Sequence, residues 1–193
     1  MKADTAWLLL PEALKKPSFW SGYLRRRALR SHVKMADVVL GAGRPWPWIE
    51  NNAGGSMTLG NIFLAAGSRL WSRKGAELTI GDGTVLDAGA EIIAFSRVVV
   101  GRNCYFGWDA LVMDTDLHSQ GAGCPVVNRP VTIGEGVRIG ARAIILKGVT
   151  IGDGVIIHPG SIVTHDVQAG AEVRASPAEV KKVVLGQAAA SHA

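Results

Sequence analysis

Asp114, Asp116 and His118 occupy alternate positions in the pentapeptide Asp114-Thr115-Asp116-Leu117-His118. In an extended segment such alternation puts positions 114, 116 and 118 on one side, so two carboxylates and an imidazole would face the same way. Groups of this kind move protons. A neutral imidazole near pH 7 can take the proton of an attacking hydroxyl, and a neighbouring carboxylate can fix its tautomer and stabilise the imidazolium. Asp116 is the nearer partner for that task. The competing structural reading is that both aspartates cap a turn where the chain enters residues 119–130 (SQGAGCPVVNRP), a stretch without apolar period that carries Gly121, Gly123, Pro125 and Pro130.

The elements that must position these groups declare themselves by a six-residue beat. From Ile133 an aliphatic residue returns at Ile139, Ile145, Ile151, Ile157 and Val163, and a small or β-branched residue follows each by four places: Val137, Ala143, Val149, Val155, Ser161 and Val167. No α-helix has that period. A short repeat of this kind is expected from a solenoid of stacked parallel strands, three hexads to a triangular coil, with the aliphatic residue inward and strands paired between coils. The beat also runs through Ile80, Leu86 and Ile92 and, after a two-residue insertion, through Val100, Phe106 and Val112; it begins imperfectly at Leu59, Ala65 and Trp71. The Gly-Asp-Gly and Gly-Glu-Gly pieces at 81–83, 152–154 and 134–136 are expected at corners, where Asp can bond its own turn. Residues 119–130 read as a loop expelled from the stack.

The rest of the chain differs in kind. Of six tryptophans five precede residue 72, and Gly is abundant at 24 of 193 residues without a collagen-like period. Residues 1–36 read as a helical extension in which Trp20, Leu24 and Ala28 form one stripe and Arg26, Arg30 and Lys34 another. Residues 37–56 read as an irregular entry segment. The division expected is an extension over 1–56, the β-helix over 57–168 and a tail over 169–193 ending in a short helix from Pro177. Net charge is +5, and seven basic residues with no acidic one lie between Lys15 and Lys34. Such a run can meet nucleic acid, anionic lipid or a phosphorylated substrate. A solvated helix face is the plainer reading of the run; contact with a membrane surface and packing of the helix over the end of the solenoid both stay open, and no nucleic-acid partner is expected. Cys104 falls at an inward position and Cys124 in the loop, a use of cysteine that fits a reducing compartment. With no apolar run of membrane-spanning length, the expected location is cytoplasmic, or peripheral at the inner membrane face.

The hexads, the segment Gly160-Ser-Ile-Val-Thr-His-Asp-Val and the later Ala175-Ser-Pro-Ala-Glu-Val together resemble the bacterial hexapeptide-repeat acyltransferases, and the sugar O-acetyltransferases among them most. The likeness covers about residues 59–182. It implies a left-handed parallel β-helix, a homotrimer with active sites between subunits, and acetyl-CoA as co-substrate with no tightly bound cofactor. By the resemblance, His118 matches the catalytic base and Asp114 and Asp116 the acidic residues before it. Ala141, Pro159, Thr164 and His165 fall where the family meets the pantetheine and adenosine-phosphate portions, and Lys182 where a basic residue often meets the phosphates. Three positions depart from the pattern: Arg138, at a donor-contact position, stands where Trp is common, His165 replaces Lys, and Ala175-Ser176-Pro177 replaces Gly-Asn-Pro. The function implied is transfer of an acetyl group to a carbohydrate hydroxyl in surface-polysaccharide or glycoconjugate synthesis, the acceptor being lipid-linked if the basic extension binds membranes.

Trp108 and Asp109, in the hexad before the catalytic segment, are candidates for the acceptor site, since indole is a good platform for a sugar ring. Arg129, in the loop, is available to an acidic or phosphorylated sugar. No metal site is expected: zinc hydratases with such prisms need three converging histidines, whereas His118, His158 and His165 are spread over different coils. The remaining alternatives are acetylation of an amino sugar, a serine or an antibiotic, and a non-catalytic β-helix scaffold at the membrane.

Overall fold

The computed structural model of the protein describes residues 33–35, 38–41, 45–52, 54–119, 121 and 123–174. Their strands form three parallel sheets of six, seven and six strands. Each coil contributes one strand to each sheet, so that Arg97–Val100, Tyr105–Phe106 and Leu111–Met113 make the fourth coil and Val131–Ile133, Arg138–Ile139 and Ile144–Ile145 the fifth. Six coils each place one described strand in every sheet, and Glu172–Val173 adds a last strand to the second sheet. Faces one, two and three follow in chain order. The first corner joins faces one and two, the second joins two and three, and the third carries the chain up to the next coil.

The core is the aliphatic column that the repeat predicts. Ile133, Ile139, Ile145, Ile151, Ile157 and Val163 are all buried, as are Val137, Ala143, Val149, Val155 and Ser161. Phe106 fills the middle of the prism, paired in register with Leu86 below and Ile139 above. Early in the chain the register differs from the expected one. Leu59, Leu64 and Leu70 point inward, while Ala65 and Trp71 are only partly buried. A corner one residue shorter accounts for the shift, and because strand side chains alternate, it sends Trp71 outward.

The boundary at residue 57 is also corrected. Val33–Met35, Val38–Leu40 and Trp48–Asn51 pair with Ser56–Leu59, Ile62–Leu64 and Arg69–Ser72, so the irregular-looking entry segment is the first coil. Its strands are short, and the sequence after the second and third of them is rich in Gly and Pro, which hid the period. The expected helix over residues 1–36 is corrected at its end, where Val33–Met35, with Lys34 of the basic stripe, is a strand; its other residues, the tail helix and Lys182 lie outside the described residues.

At the first corner, Gly83, Gly136 and Gly154 have φ of 72°, 64° and 65°, the left-handed conformation glycine adopts without penalty. The aspartates there bond the coil below instead of their own turn: Asn61 N–H donates to Asp82 Oδ1 (2.8 Å) and Glu135 N–H to Asp153 Oδ1 (2.7 Å). Corners therefore stack as well as strands. At Gly140 a Cβ would stand 2.5 Å from the backbone nitrogen of Pro159 and 2.8 Å from the carbonyl carbon of His158. Both are rigid backbone. Gly140→Ala should cost about 1–3 kcal/mol by overpacking, read as a lower urea midpoint with unchanged slope; an unchanged midpoint would show that the second corner yields.

Candidate active site

The segment from Asp114 to His118 leaves the top of face three at the fourth coil, where the beat breaks. Asp114 turns into the prism and is fully buried. Its carboxylate accepts the backbone N–H groups of Phe95 (2.7 Å), Ser96 (2.6 Å) and Arg97 (2.6 Å), which span the corner from the third coil to the fourth. Thr115, also buried, forms an antiparallel bridge with Asn128. The bridge is continued by Asp116 N–H to Val127 O (3.2 Å) and Arg129 N–H to Asp114 O (2.8 Å). The expelled loop thus starts and returns through a stitched base, and Gly148 N–H to Arg129 O (3.0 Å) ties it to the coil above.

Alternation ends at Thr115. His118 N–H donates to Asp116 O at 2.7 Å and Leu117 has φ of 62°, so Asp116, Leu117 and His118 form a γ-turn with a left-handed central residue. That conformation is rare and strained for a side chain as large as Leu. It is held from both sides: Leu117 N–H donates to Thr115 Oγ1 (3.0 Å), and the largely buried carboxylate of Asp116 is paired with the Lys147 ammonium. The turn throws the His118 imidazole outward, exposed, and among the described residues it makes no hydrogen bond to either aspartate. The expectation of three groups on one side is therefore corrected. Asp114 caps the turn from the third coil to the fourth, Asp116 faces Lys147, and His118 alone faces solvent.

Lys147 is the residue that the sequence reading missed. It follows the inward Ile145 by two places and points out at the third corner, with nothing in its own hexad to mark it. Asp116→Asn should cost about 1–3 kcal/mol, the range for a mostly buried charged hydrogen bond. Thermal unfolding would record that loss, and if Asp116 does not serve the imidazole, kcat should fall less than about tenfold, well short of general-base removal.

The other predicted residues fall into two groups. Trp108, Asp109, Ala141 and Pro159 converge at the second corner, where with Arg142 and Gly160 they line an open cleft of about 460 Å³. Asp109 and Arg142 both have positive φ, 55° and 58°, and their side chains approach to 3.8 Å. Arg138 lies on face two beside Tyr105, whose hydroxyl donates to Asp87 Oδ2 at 2.8 Å; that hydrogen bond, with some burial, raises the phenol's pKa and keeps it a donor. Thr164, His165 and Arg129 sit instead at the third corner with His118, the Thr164 hydroxyl 2.8 Å from His165 Nδ1. Within one protomer face three separates the two groups.

His158 lies 3.4 Å from Glu172, whose carboxylate pKa is lowered first by Arg174 (2.9 Å) and then by His158. Among the described residues no three metal-ligating side chains converge. Cys104 is buried, with its thiol directed at Gly134 O (3.1 Å), and burial raises its pKa, a poor setting for a nucleophile.

Residues 130–165 match the family model described as bacterial transferase hexapeptide (six repeats). No curated protein matches the chain. Among solved structures, the chain is similar to the polySia-specific acetyltransferase NeuO, with TM-score 0.55 and 21% identity over 75% of this chain and 78% of that one. It is also similar to a hexapeptide-repeat-containing acetyltransferase from Vibrio cholerae O1 biovar eltor complexed with acetyl-CoA, with TM-score 0.50 and 23% identity over 56% of this chain. The matches span 58% and 61% of the length of the two Vibrio cholerae chains found. The described residues thus form a parallel β-helix, with the bacterial-transferase hexapeptide repeat matched over residues 130–165.

Proposed function

We propose that the protein transfers an acetyl group from acetyl-CoA to a carbohydrate hydroxyl, with His118 as general base. The observation that carries this reading is the γ-turn at Asp116–Leu117–His118, which holds out an imidazole without a partner among the described residues, beside an unbroken stack of coils. Strained backbone held by its surroundings is a mark of functional sites. The similar proteins described above, one bound to acetyl-CoA and one acting on polysialic acid, support the donor and the acceptor class.

The chemistry is direct. The acceptor oxygen attacks the thioester carbonyl carbon while its proton passes to the His118 imidazole. The tetrahedral intermediate then expels the CoA thiolate, which takes that proton back as the free thiol. The protein's contribution is proximity and one base at the right height on the stack.

The split between corners supports a homotrimer. Trp108, Asp109, Ala141 and Pro159 stand at the second corner and His118, Thr164 and His165 at the third. Packing one protomer's second corner against the third corner of its neighbour would bring the two halves together, with the donor along the groove between prisms. Arg138 and Lys182 would then serve the phosphate end. The basic stretch from Lys15 to Lys34 suits a lipid-linked acceptor at the inner membrane face.

The test is thiol release from acetyl-CoA by the full chain across a panel of sugar, polyol and amine acceptors. Release that depends on a sugar hydroxyl is expected. Release with amines alone would move the protein to N-acetylation, and none with any acceptor would favour a scaffold.

A further inference from the structure

Below His118 the third corner carries cationic and aromatic groups that the transfer chemistry leaves unused. Arg73 opens this corner in the second coil, and its guanidinium lies 4.9 Å over the centre of the Phe95 ring. Phe95 in turn meets Trp71 edge to face, with centroids 5.2 Å apart and planes at 82°. A guanidinium laid on a ring keeps its N–H edge free to take a carboxylate in two hydrogen bonds. Among the described residues Arg73, Lys74 and Arg129 have no ion pair, and all three are exposed.

The carboxylates nearby are already engaged. Asp114 holds three backbone N–H groups, Asp116 holds Lys147, Glu77 pairs with Arg97 at 3.1 Å, and Asp166 accepts Thr150 N–H at 2.7 Å. Glu50 is the exception; it lies beside Trp71 in register, on the first coil and farthest from His118. Glu77 and Asp116 are thus neutralised by Arg97 and Lys147, and among the described residues the exposed cations along this corner without an ion pair are Arg73, Lys74 and Arg129. The spacing is fixed too. Asp114 binds the N–H of Phe95 directly, so platform and imidazole ride on adjacent coils, and Arg73 stands about 10 Å from the catalytic corner at roughly 4.8 Å per coil. A short oligosaccharide covers that distance and a single sugar does not.

We propose that this corner binds an extended acidic oligosaccharide, its reacting hydroxyl at His118 and its chain running toward the N-terminal coils. Sugar C–H faces meet the Arg73–Phe95–Trp71 stack and a carboxylate meets the free edge of Arg73. The proposal rests on the acetyltransferase reading and names its acceptor class. Phosphates of acetyl-CoA are anions as well, so the experiment separates the two sources.

The full-length protein and its Arg73→Gln and Phe95→Leu variants would be given acetyl-CoA with sialic acid monomer, dimer and tetramer, and with the tetramer after amidation of its carboxylates. Binding of the tetramer would be measured by calorimetry without donor. For the tetramer, Arg73→Gln should lower kcat/KM about tenfold or more through KM, the scale of one charged hydrogen bond. The monomer and the KM for acetyl-CoA should change less than about twofold, and the amidated tetramer should bind wild type as weakly as the variant binds the charged one, the guanidinium–carboxylate pair being absent in both. Phe95→Leu should weaken the dimer and tetramer alike. Equal losses on monomer and tetramer, a raised KM for acetyl-CoA, or no binding of the charged tetramer to wild type would each overturn the proposal. The binding arm speaks even if no acetyl transfer is seen, so failure here is distinguishable from failure of the acetyltransferase reading.

Discussion

His118→Ala should lower kcat for acetyl transfer by about a hundred- to ten-thousandfold, the usual contribution of a positioned general base, which is about 3–5 kcal/mol of barrier. The imidazole is exposed and makes no side-chain hydrogen bond among the described residues, so its removal leaves the fold intact. The expected signature is therefore a fall in kcat with the melting temperature and the KM for acetyl-CoA unchanged. A loss confined to KM would make His118 a binding residue. Unchanged turnover would remove the general base from the mechanism and leave proximity alone to account for the rate. The neighbouring γ-turn supplies an internal control. Leu117→Gly relieves the left-handed strain, worth about 1–2 kcal/mol for a non-glycine residue, yet loosens the support of the imidazole. Stability should rise or hold while kcat falls, a division that a purely structural turn would not produce.

The fold was legible because its physics is periodic. An inward aliphatic residue every six positions has one economical explanation, and Ile133 to Val163 sit where that explanation puts them. Legibility failed where corners vary in length. Between Leu59 and Ile80 one short corner moved the inward positions to Leu64 and Leu70, and in the first coil corners with Gly and Pro broke the beat altogether. A strand of three residues flanked by such corners has no local signal; only the coil above it identifies it.

The geometry of the candidate site was less legible. The sequence singles out His118 by its position before an expelled loop, and alternation misplaced the two aspartates because the chain stops being extended at Leu117. Lys147, 31 positions from Asp116, joins it through stacking of the third corner from one coil to the next. In a solenoid, residues one coil apart are neighbours at strand spacing, so the chemistry of a corner is read along the axis and not along the chain. Arg73, Phe95 and Asp114 follow the same rule.

Asp114→Ala should destabilise the protein by about 2–5 kcal/mol, since removal of one buried carboxylate strands three backbone donors that each lose a charge-assisted hydrogen bond. Those donors are the successive amides of Phe95, Ser96 and Arg97, at 2.6–2.7 Å, and they form the corner on which the fourth coil is laid. Asp114→Asn keeps one acceptor oxygen but turns an NH₂ group toward amides that also donate, so it should recover only part of the loss. Urea denaturation of the three proteins would rank them wild type, Asn, Ala. Kinetics on the folded variants separate this role from catalysis. If Asp114 only fixes the corner, folded Asp114→Asn retains kcat within about tenfold, far from the general-base loss expected at His118. Should Asn instead abolish turnover with stability unchanged, the carboxylate would belong to the reaction after all, and the three amides would be its oriented support. The buried position of Asp114, with both oxygens engaged by backbone, argues for the first outcome: its charge is already satisfied before any substrate arrives.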